Sequence, residues 1–300
     1  MNFSYLLKHP ELFEVAIGIS HQRFEQLLKK FVIQLRKAEN DVAWSRKRLR
    51  QPGAGRKATL KTDRQKLFFI LFYYKTYPTF RLAQLLFGFD KRNVQLWKIF
   101  LEKVLASSVD YQLKLPLIKA RYLNQVIEIC PKLRDCLIDA SERRINRPKY
   151  NQELYYSGKK KYHAVKNQIL VNPRSRKILS VSATVEGKRH DKQLACDDYA
   201  LYAMPPNATV IADLGYQGLA EENKRIKVIT PYKKAKGKQL TDLQKQNNKA
   251  ISSIRVRVEH PFAWMKHFNI LSHQFRGRVK QADLPFRNIA CLYNFDLAYK

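Results

Sequence analysis

The chain has 300 residues, 45% of them hydrophobic and 12% aromatic, which is enough apolar side chain for a real core and argues against wholesale disorder. Its 57 lysines and arginines face only 25 aspartates and glutamates, and the resulting formal charge of +32 favours a polyanionic partner over a small-molecule substrate. The longest apolar run, residues 67–74, is far shorter than the roughly 20 residues that span a bilayer, so we expect nucleic acid and not a membrane as the partner.

The N-terminus and the cysteines bear on where the protein acts. Residues 1–14 lack the basic start and the uninterrupted apolar stretch of a signal peptide. The four cysteines, Cys130, Cys136, Cys196 and Cys291, show no zinc-ligand spacing, which favours reduced thiols. We therefore expect a cytoplasmic protein associated with the bacterial nucleoid, or a nuclear protein if the host is eukaryotic.

Residues 1–57 form the first predicted unit, a helical segment that ends in a basic linker. Ser20 is a suitable N-cap for a helix whose apolar residues recur at helical spacing. The linker, residues 46–57, carries six positive residues, no acidic residue and a Pro-Gly turn signal. Its last two residues, Arg56 and Lys57, are candidate DNA contacts.

Residues 58–130 form the second predicted unit, which is helical. Thr62 and Gln65 have the spacing of a capping box, so a helix with a wide buried face is expected to begin there. A shorter helix is predicted to open at Thr79 and to end at Gly88.

Asp90 is expected to cap the next helix, which is predicted to run from Lys91 to about Leu105. Two helices joined by a tight turn that contains glycine are typical of a helix-turn-helix, whose second helix enters the major groove. An ordinary helical hairpin with a solvated basic end is the alternative. The exposed end of the second helix supplies the candidate DNA contacts Lys91, Arg92, Asn93 and Gln95.

Residues 131–300 change to alternating strands and helices, which predicts a mixed α/β sheet covered by helices. Two β-rich runs, residues 161–171 and 177–185, are joined by a turn and indicate a hairpin. Shorter apolar strands are predicted at residues 136–139, 209–213 and 228–230, and a long helix at about 240–268.

Three acidic residues occupy positions where chemistry is expected. Asp139 and Asp213 each end a predicted core strand, at the carboxyl edge where open α/β sheets place their sites. A cap or turn role is the alternative for either one alone. Glu259 lies on a largely apolar, otherwise cationic helix, where a buried carboxylate needs a metal or a partner; an ion pair with Arg255 is the alternative. His190 and Asp191 favour a helix start with a structural role.

Carboxylates from distant parts of a chain suit a pair of hard divalent cations. Mg²⁺ prefers oxygen ligands, and two such ions about 3.5 to 4 Å apart can assist phosphodiester displacement. No pair of histidines or cysteines has metal-ligand spacing, which argues against a zinc site.

The chain resembles the DDE transposases, and among them the insertion-sequence-five family, which is related to eukaryotic Harbinger elements. The resemblance covers nearly the whole chain. The motifs that carry it are Asp139-Ala140-Ser141-Glu142-Arg143, Arg147-Pro148, residues 155–163, Gly187, His190-Asp191, residues 213–218, Arg257-Val258-Glu259-His260, Ile270-Leu271-Ser272, Arg276-Gly277-Arg278, Asn294-Phe295 and, upstream, residues 53–57 and 77–79.

The resemblance implies an RNase H-like catalytic domain at 131–300, preceded by an all-α helix-turn-helix region. It implies that Asp139, Asp213 and Glu259 are the catalytic residues and hold two Mg²⁺ or Mn²⁺ ions. Ser141 stands where the family pattern leads us to expect threonine. Pro261 lacks an N–H, so we expect the catalytic helix to start or to kink there.

Other basic residues are candidate DNA contacts. Lys159, Lys160 and Lys161 lie beside tyrosines, a combination suited to backbone contact and base stacking. A solvated strand edge is the alternative. Arg255 is a further candidate, and the lysines between 233 and 238 are expected to track phosphates or to form a disordered loop.

The resulting hypothesis is a transposase that binds element ends and catalyses metal-dependent strand cleavage and strand transfer. Its partners are double-stranded DNA, namely terminal inverted repeats and target DNA, and a second copy of the chain when assembled on DNA. The alternatives are a catalytically silent DNA-binding protein derived from a transposase and another RNase H-like DNA nuclease.

Overall fold

The computed structural model describes residues 3–41, 59–109, 135–202 and 204–299, without the side chain of Tyr199. The basic linker, with Arg56 and Lys57, and Cys130 lie outside these residues. The helices are α1 (Phe3–Lys8), α2 (Pro10–Ile17), α3 (His21–Asn40), α4 (Asp63–Thr76), α5 (Phe80–Phe87), α6 (Lys91–Val109), α7 (Gln152–Tyr155), α8 (Asp191–Asp197), α9 (Tyr199–Tyr202), α10 (Leu219–Glu222), α11 (Asp242–Lys266), α12 (Asn269–Ser272) and α13 (Asp283–Leu297). The strands are β1 (Asp135–Arg144), β2 (Tyr156–Ser157), β3 (Tyr162–Val171), β4 (Ile178–Val181), β5 (Val185–Glu186), β6 (Thr209–Ile211) and β7 (Lys227–Ile229).

The N-terminal helices begin where their caps predict. The Ser20 hydroxyl accepts a hydrogen bond from the Arg23 N–H at the start of α3. Thr62 and Gln65 form both bonds of a capping box at the start of α4. These bonds satisfy N–H groups that a helix start otherwise leaves unpaired, so the predicted positions are confirmed.

Helices α5 and α6 form the predicted pair. Thr79 caps α5, which ends at Gly88 with φ of 70°, a conformation that favours glycine. The Asp90 carboxylate accepts from the Arg92 N–H at 2.7 Å as α6 begins. Helix α6 runs to Val109, further than predicted. The helical hairpin is therefore confirmed, whereas its helix-turn-helix role stays a prediction.

The C-terminal part holds one mixed sheet in the order β2-β3-β1-β6-β7, with β4 and β5 also pairing with β3. Strand β1 is antiparallel to β3 and parallel to β6, and β6 is parallel to β7. The predicted hairpin is confirmed, except that its second run divides into β4 and β5. The mixed α/β class is thus confirmed for the described residues.

One strand boundary differs from the prediction. Asp139 does not end β1, which continues to Arg144 because β3 pairs with it along that length. The parallel neighbour β6 pairs only as far as Leu137. Asp139 therefore lies just beyond the parallel part of the sheet, and Asp213 lies two residues beyond β6.

The boundaries of α11 confirm the predicted long helix and exclude a helix start at Pro261, one of the two outcomes expected there. This helix begins at Asp242, where Thr241 and Gln244 form a capping box, and continues through Pro261 to Lys266. Pro261 is therefore inside the helix and is not its start. Its ring packs in the buried face with Val258, Phe262 and Met265, which offsets the lost hydrogen bond.

Buried apolar side chains fill both faces of the sheet. The larger core joins α2 to α6 with one face of β1 and β3 and with α11 and α13. The smaller core lies under α8 and α10 on the opposite face. The N-terminal helices thus pack directly onto the sheet domain. None of the described helices combines the length and the apolar character needed to cross a membrane.

Candidate active site

Asp139 and Asp213 meet at the edge where the parallel strands end. One oxygen of Asp139 accepts a hydrogen bond from the Ala140 N–H at 2.9 Å. One oxygen of Asp213 accepts from the Gly215 N–H at 2.7 Å, because Asp213 caps a short 3-10 helix, Leu214–Tyr216. In both residues the backbone fixes one oxygen and leaves the other for a ligand.

Electrostatics show that the charge of Asp213 acts on the Asp139 carboxyl group. The pKa of Asp139 is raised to about 6, mainly by burial and then by the negative charges of Asp213 and Asp191, against the Ala140 hydrogen bond and the positive charge of Arg255. Two like charges in a partly desolvated site disfavour ionisation of both, and a bound cation would relieve that cost.

Helix α11 supplies the cation that faces this pair. Arg255 Nη2 lies 3.9 Å from Asp213 Oδ2, too far for a hydrogen bond. Within the described parts of the chain Arg255 forms no ion pair with Glu259. The ion pair that the sequence offered as the alternative role of Glu259 is therefore not observed.

Glu259 follows Arg255 by one helical turn and so shares its face, yet its side chain is exposed. Across the described ranges no three His, Cys, Asp or Glu side chains lie close enough together to hold a metal ion. The structure therefore brings Asp139 and Asp213 together and leaves Glu259 outside ligand distance.

Asp191 is part of this site, although the sequence favoured a purely structural role for it. Helix α8 does begin at Asp191, as predicted, but this side chain makes no cap. Its Oδ1 accepts from Lys166 Nζ at 2.8 Å, and Lys166 also donates to the Arg189 carbonyl at 2.7 Å and lies 3.6 Å from Glu142 Oε1. Lys166 is a charged residue on a strand that is buried on both faces. A lysine inside such a strand is rarely buried without a partner, and this was the feature of the sequence that could have indicated the pair.

Gly215 allows the close approach of Asp191 to Asp213. A Cβ atom added at Gly215 would lie 2.9 Å from Asp191 Oδ2 and 2.9 Å from Asp213 Oδ1. Any larger residue would push one carboxylate away. This is the physical reason for a glycine in the turn after β6.

Tyr216 was also missed by sequence reasoning. Its ring is fully buried beneath the turn, and its hydroxyl has no hydrogen-bond partner among the residues that the structure describes. Burial raises its pKa well above the usual range, with further contributions from Asp191, Asp139 and Asp213. A buried hydroxyl near several carboxylates is a donor available to water or to a ligand.

The donor set fits a divalent cation. Mg²⁺ is usually held by one or two carboxylates together with water and substrate phosphates, and does not need a complete protein cage. Asp139 and Asp213 supply that number of hard oxygen ligands, and the Arg255 guanidinium lies 3.9 Å from Asp213 Oδ2. The residues present are thus suited to Mg²⁺ or Mn²⁺.

Apart from Arg255, which is half-buried, the candidate DNA contacts lie on the surface where the structure describes them. Lys91, Arg92, Asn93 and Gln95 are exposed on the first turns of α6. The exposed turn between β2 and β3 presents three adjacent lysines, Lys159, Lys160 and Lys161.

Comparison with known proteins identifies the family to which the chain belongs. The model of the DDE superfamily endonuclease family matches residues 138–294, more than half of the chain and both aspartates. The chain belongs to this family. As a DDE superfamily endonuclease it is expected to use divalent metal ions, in keeping with its paired carboxylates.

Two curated relatives of this DDE endonuclease are described as transposases. It is 29% identical over 290 residues to a probable transposase for insertion sequence element IS702 from Microchaete diplosiphon, covering 96% of this chain and 95% of that protein. It is 28% identical over 110 residues to a putative transposase for insertion sequence element IS112 from Streptomyces albus G, covering 36% and 40%. No solved structure matches the chain.

Proposed function

We propose that this DDE endonuclease is the transposase of an insertion sequence, and that it cuts and joins DNA at Asp139, Asp213 and Glu259. The observation that carries the proposal is the convergence of Asp139 and Asp213 at the sheet edge, where their mutual repulsion calls for a cation. The relative aligned over 96% of the chain is described as a probable transposase, which supports the same activity.

The fold supports an RNase H-like catalytic domain. Its order of three antiparallel strands (β4, β3 and β1) followed by two parallel ones (β6 and β7) is the arrangement we expect of that fold. The helical pair α5–α6 is proposed as a helix-turn-helix that docks the exposed start of α6 in the major groove. Membership of the insertion-sequence-five group is part of the proposal.

Each residue of the proposed site has a role. Asp139 and Asp213 would hold the cations, and Glu259 would join them if its side chain turned inward from α11. Bound divalent ions would lower the pKa of attacking water and stabilise the leaving oxygen. Arg255 balances the negative charge before DNA arrives, and it would then be free to contact a phosphate.

Two in-line displacements at one site account for the reaction. In the first, water attacks the phosphodiester at the element's end and the bond to the 3′ oxygen breaks, leaving a 3′-OH. In the second, that hydroxyl attacks a target phosphodiester, so that one P–O bond forms as another breaks. Because both steps need the same carboxylates, a variant that blocks one step should block the other.

DNA is the proposed partner in two forms, terminal inverted repeats and target. The formal charge of +32, with exposed lysines on the β2–β3 turn and at the start of α6, supports phosphate binding without sequence preference. Joining two element ends calls for two active sites, so we propose a homodimer assembled on DNA.

A cleavage assay tests the proposal. Purified protein is incubated with DNA that carries the ends of the element around its gene, with Mg²⁺ or with EDTA, beside Asp213→Ala. We expect metal-dependent nicking at the ends, lost in the variant while DNA binding is kept. Cleavage of branched DNA regardless of its sequence would instead identify a general nuclease.

The exposed position of Glu259 favours a second candidate, a silent transposase copy that binds ends without cutting. Tight, end-specific binding with no cleavage in Mg²⁺ or Mn²⁺ would select it. Nicking by the wild type that Glu259→Gln abolishes would exclude it.

A further inference from the structure

A cleft of about 450 Å³ lies between the N-terminal helices and the loop that follows α12. Its volume is within the range of sites for small organic ligands. Two kinds of surface line it. The residues that define its chemistry are Tyr73, Phe80, Gln95, Ile99, Phe275 and Arg278.

The floor of this cleft is apolar and largely aromatic. Tyr73 and Phe275 are buried, and Phe80 and Ile99 are half-buried and complete the floor. Phe80 stacks on Tyr73 with ring centroids 6.0 Å apart. Such a surface accepts a flat, apolar ring.

The rim is polar and positively charged. Gln95 and Arg278 are exposed on opposite elements, Gln95 on α6 and Arg278 in the loop before α13. A glutamine amide can pair with the edge of a nucleobase, and a guanidinium can bind the phosphate. Arg276, also on the rim, is held by the Tyr77 and Pro78 carbonyls, which fixes the loop against the turn after α4.

The cleft is joined to the candidate active site by β1. The Phe275 N–H donates to the Arg144 carbonyl at 2.8 Å, and the Arg143 guanidinium lies over the Phe275 ring at 4.5 Å. Arg143 is four residues beyond Asp139 on the same strand, about 13 Å at ~3.3 Å per residue. The cleft is therefore close enough to the candidate active site for a nucleotide near the cut phosphate to reach it.

We propose that this cleft binds one unpaired nucleotide of the DNA end, with its base on the aromatic floor, its edge at Gln95 and its phosphate at Arg278. The proposal rests on the proposed function, since it requires DNA in the active site. A base inside a duplex has both faces covered and cannot reach a recessed floor, so the nucleotide must leave the stack. The position of Gln95, on the helix predicted to contact bases, favours DNA over a free nucleotide.

The test is a mismatch scan of binding, with Ca²⁺ in place of Mg²⁺ to prevent cleavage. Duplexes carrying the element's end receive a single mismatch at successive positions on either side of the cut phosphate. A mismatch lowers the cost of extruding a base, so one position within a few nucleotides should bind at least about tenfold more tightly. An abasic site on the extruded strand at that position should remove the gain.

Variants tie the effect to the cleft. Gln95→Ala removes the contact with the edge of the base, and Ile99→Trp fills the floor of the cleft. Each variant should abolish the gain in binding affinity that the mismatch gives. Gln84→Ala, an exposed glutamine on α5, and Ile33→Trp, an exposed isoleucine on α3, are the matched controls and should keep it. Far-ultraviolet circular dichroism checks that each variant is folded.

The outcomes separate this proposal from the function on which it rests. End-specific DNA binding with no favoured mismatch position, or a gain that survives both cleft variants, overturns the nucleotide site alone. A protein that binds no DNA overturns the proposed function, and the cleft proposal falls with it.

Discussion

Asp139 links the active site to the stability of the metal-free protein. Its pKa is raised to about 6, mainly by burial and then by the charges of Asp213 and Asp191. An aspartate in the unfolded chain titrates near 4, so between about pH 4 and pH 6 the folded state binds the extra proton. The contribution of Asp139 to the free energy of unfolding is therefore highest below pH 4 and is lost as the pH rises through 6. The total loss is at most about 3 kcal/mol.

Asp139→Asn should remove this pH dependence. We expect the variant in EDTA to be more stable than the wild type at pH 7 and to lose the advantage at pH 4, because asparagine carries no charge to desolvate. Urea unfolding at both pH values measures the difference. A variant less stable than the wild type at pH 7 would show that Asp139 is stabilised by its surroundings.

Gly215 tests whether the spacing of the carboxylates matters for metal binding. In Gly215→Ala the new methyl group would meet Asp191 Oδ2 and Asp213 Oδ1 at 2.9 Å, so one carboxylate must move. Displacing a group that orients metal ligands typically costs 10- to 100-fold in affinity, and we expect Mn²⁺ binding, followed by electron paramagnetic resonance without DNA, to weaken by about that factor.

Gly158→Ala is the matched control, since a Cβ there meets no atom within 4 Å. Equal loss in the two variants would mean that metal affinity responds to general loosening of the fold. Unchanged affinity in Gly215→Ala would remove the turn from the metal site.

The residues that sequence reasoning found and missed differ in a physical way. Asp139 and Asp213 stand next to apolar strand segments, which a single sequence displays directly. The pair of Lys166 and Asp191 joins β3 to the start of α8, between residues 25 positions apart. The buried Tyr216 hydroxyl becomes relevant only through the carboxylates that folding brings to it. Pairing in space leaves no periodic signal in the chain.

At the scale of elements, Asn294 joins α13 to the strand β4. Its side chain accepts from the Ile178 N–H at 2.9 Å and donates to the Ile178 carbonyl at 2.7 Å, and the residue is 2% exposed. Asn294→Ala leaves two buried backbone groups unpaired, and we expect a loss of about 2–4 kcal/mol in urea unfolding.

Asn248 provides a matched control because it makes the same double contact in solvent, with the N–H and carbonyl of Tyr232. Water replaces the lost partners there, so Asn248→Ala should cost less than about 1 kcal/mol. Similar losses in both variants would show that burial does not set the strength of the Asn294 contact.

Element starts were easier to predict than element lengths. Ser20, Thr62 and Thr79 mark helix starts through local side-chain bonds, and all three act as N-caps. The extent of β1 depends on β3, so its continuation past Asp139 was not visible locally. Pro261 shows the same limit, because local rules allowed α11 to start there, whereas the helix begins at Asp242 and buries the proline ring in its packed face.

For the whole molecule, the charge of +32 acts in opposite directions on folding and on binding. In the free protein the excess positive charges repel one another. Added salt weakens this repulsion, and at 0.1 M it largely screens exposed charges that are more than about 10 Å apart. We therefore expect the thermal midpoint of the DNA-free protein to rise between 50 and 300 mM KCl, measured by calorimetry. A falling midpoint would show that attractive ion pairs outweigh the net repulsion.

DNA binding should respond to salt in the reverse sense. Each phosphate neutralised by a lysine or arginine contributes about −0.9 to the slope of log K against log salt concentration. If Arg92 at the start of α6 contacts a phosphate, Arg92→Ala should make this slope less steep by about one, equally for specific and non-specific DNA. Gln95→Ala, which removes no charge, should leave the slope unchanged and weaken binding to the element's end alone. In a helix that lies in the major groove, phosphate contacts affect binding to all DNA, whereas base contacts affect binding to one sequence. If both variants weakened binding to every DNA equally, α6 would not be the helix that recognises the sequence of the element's end.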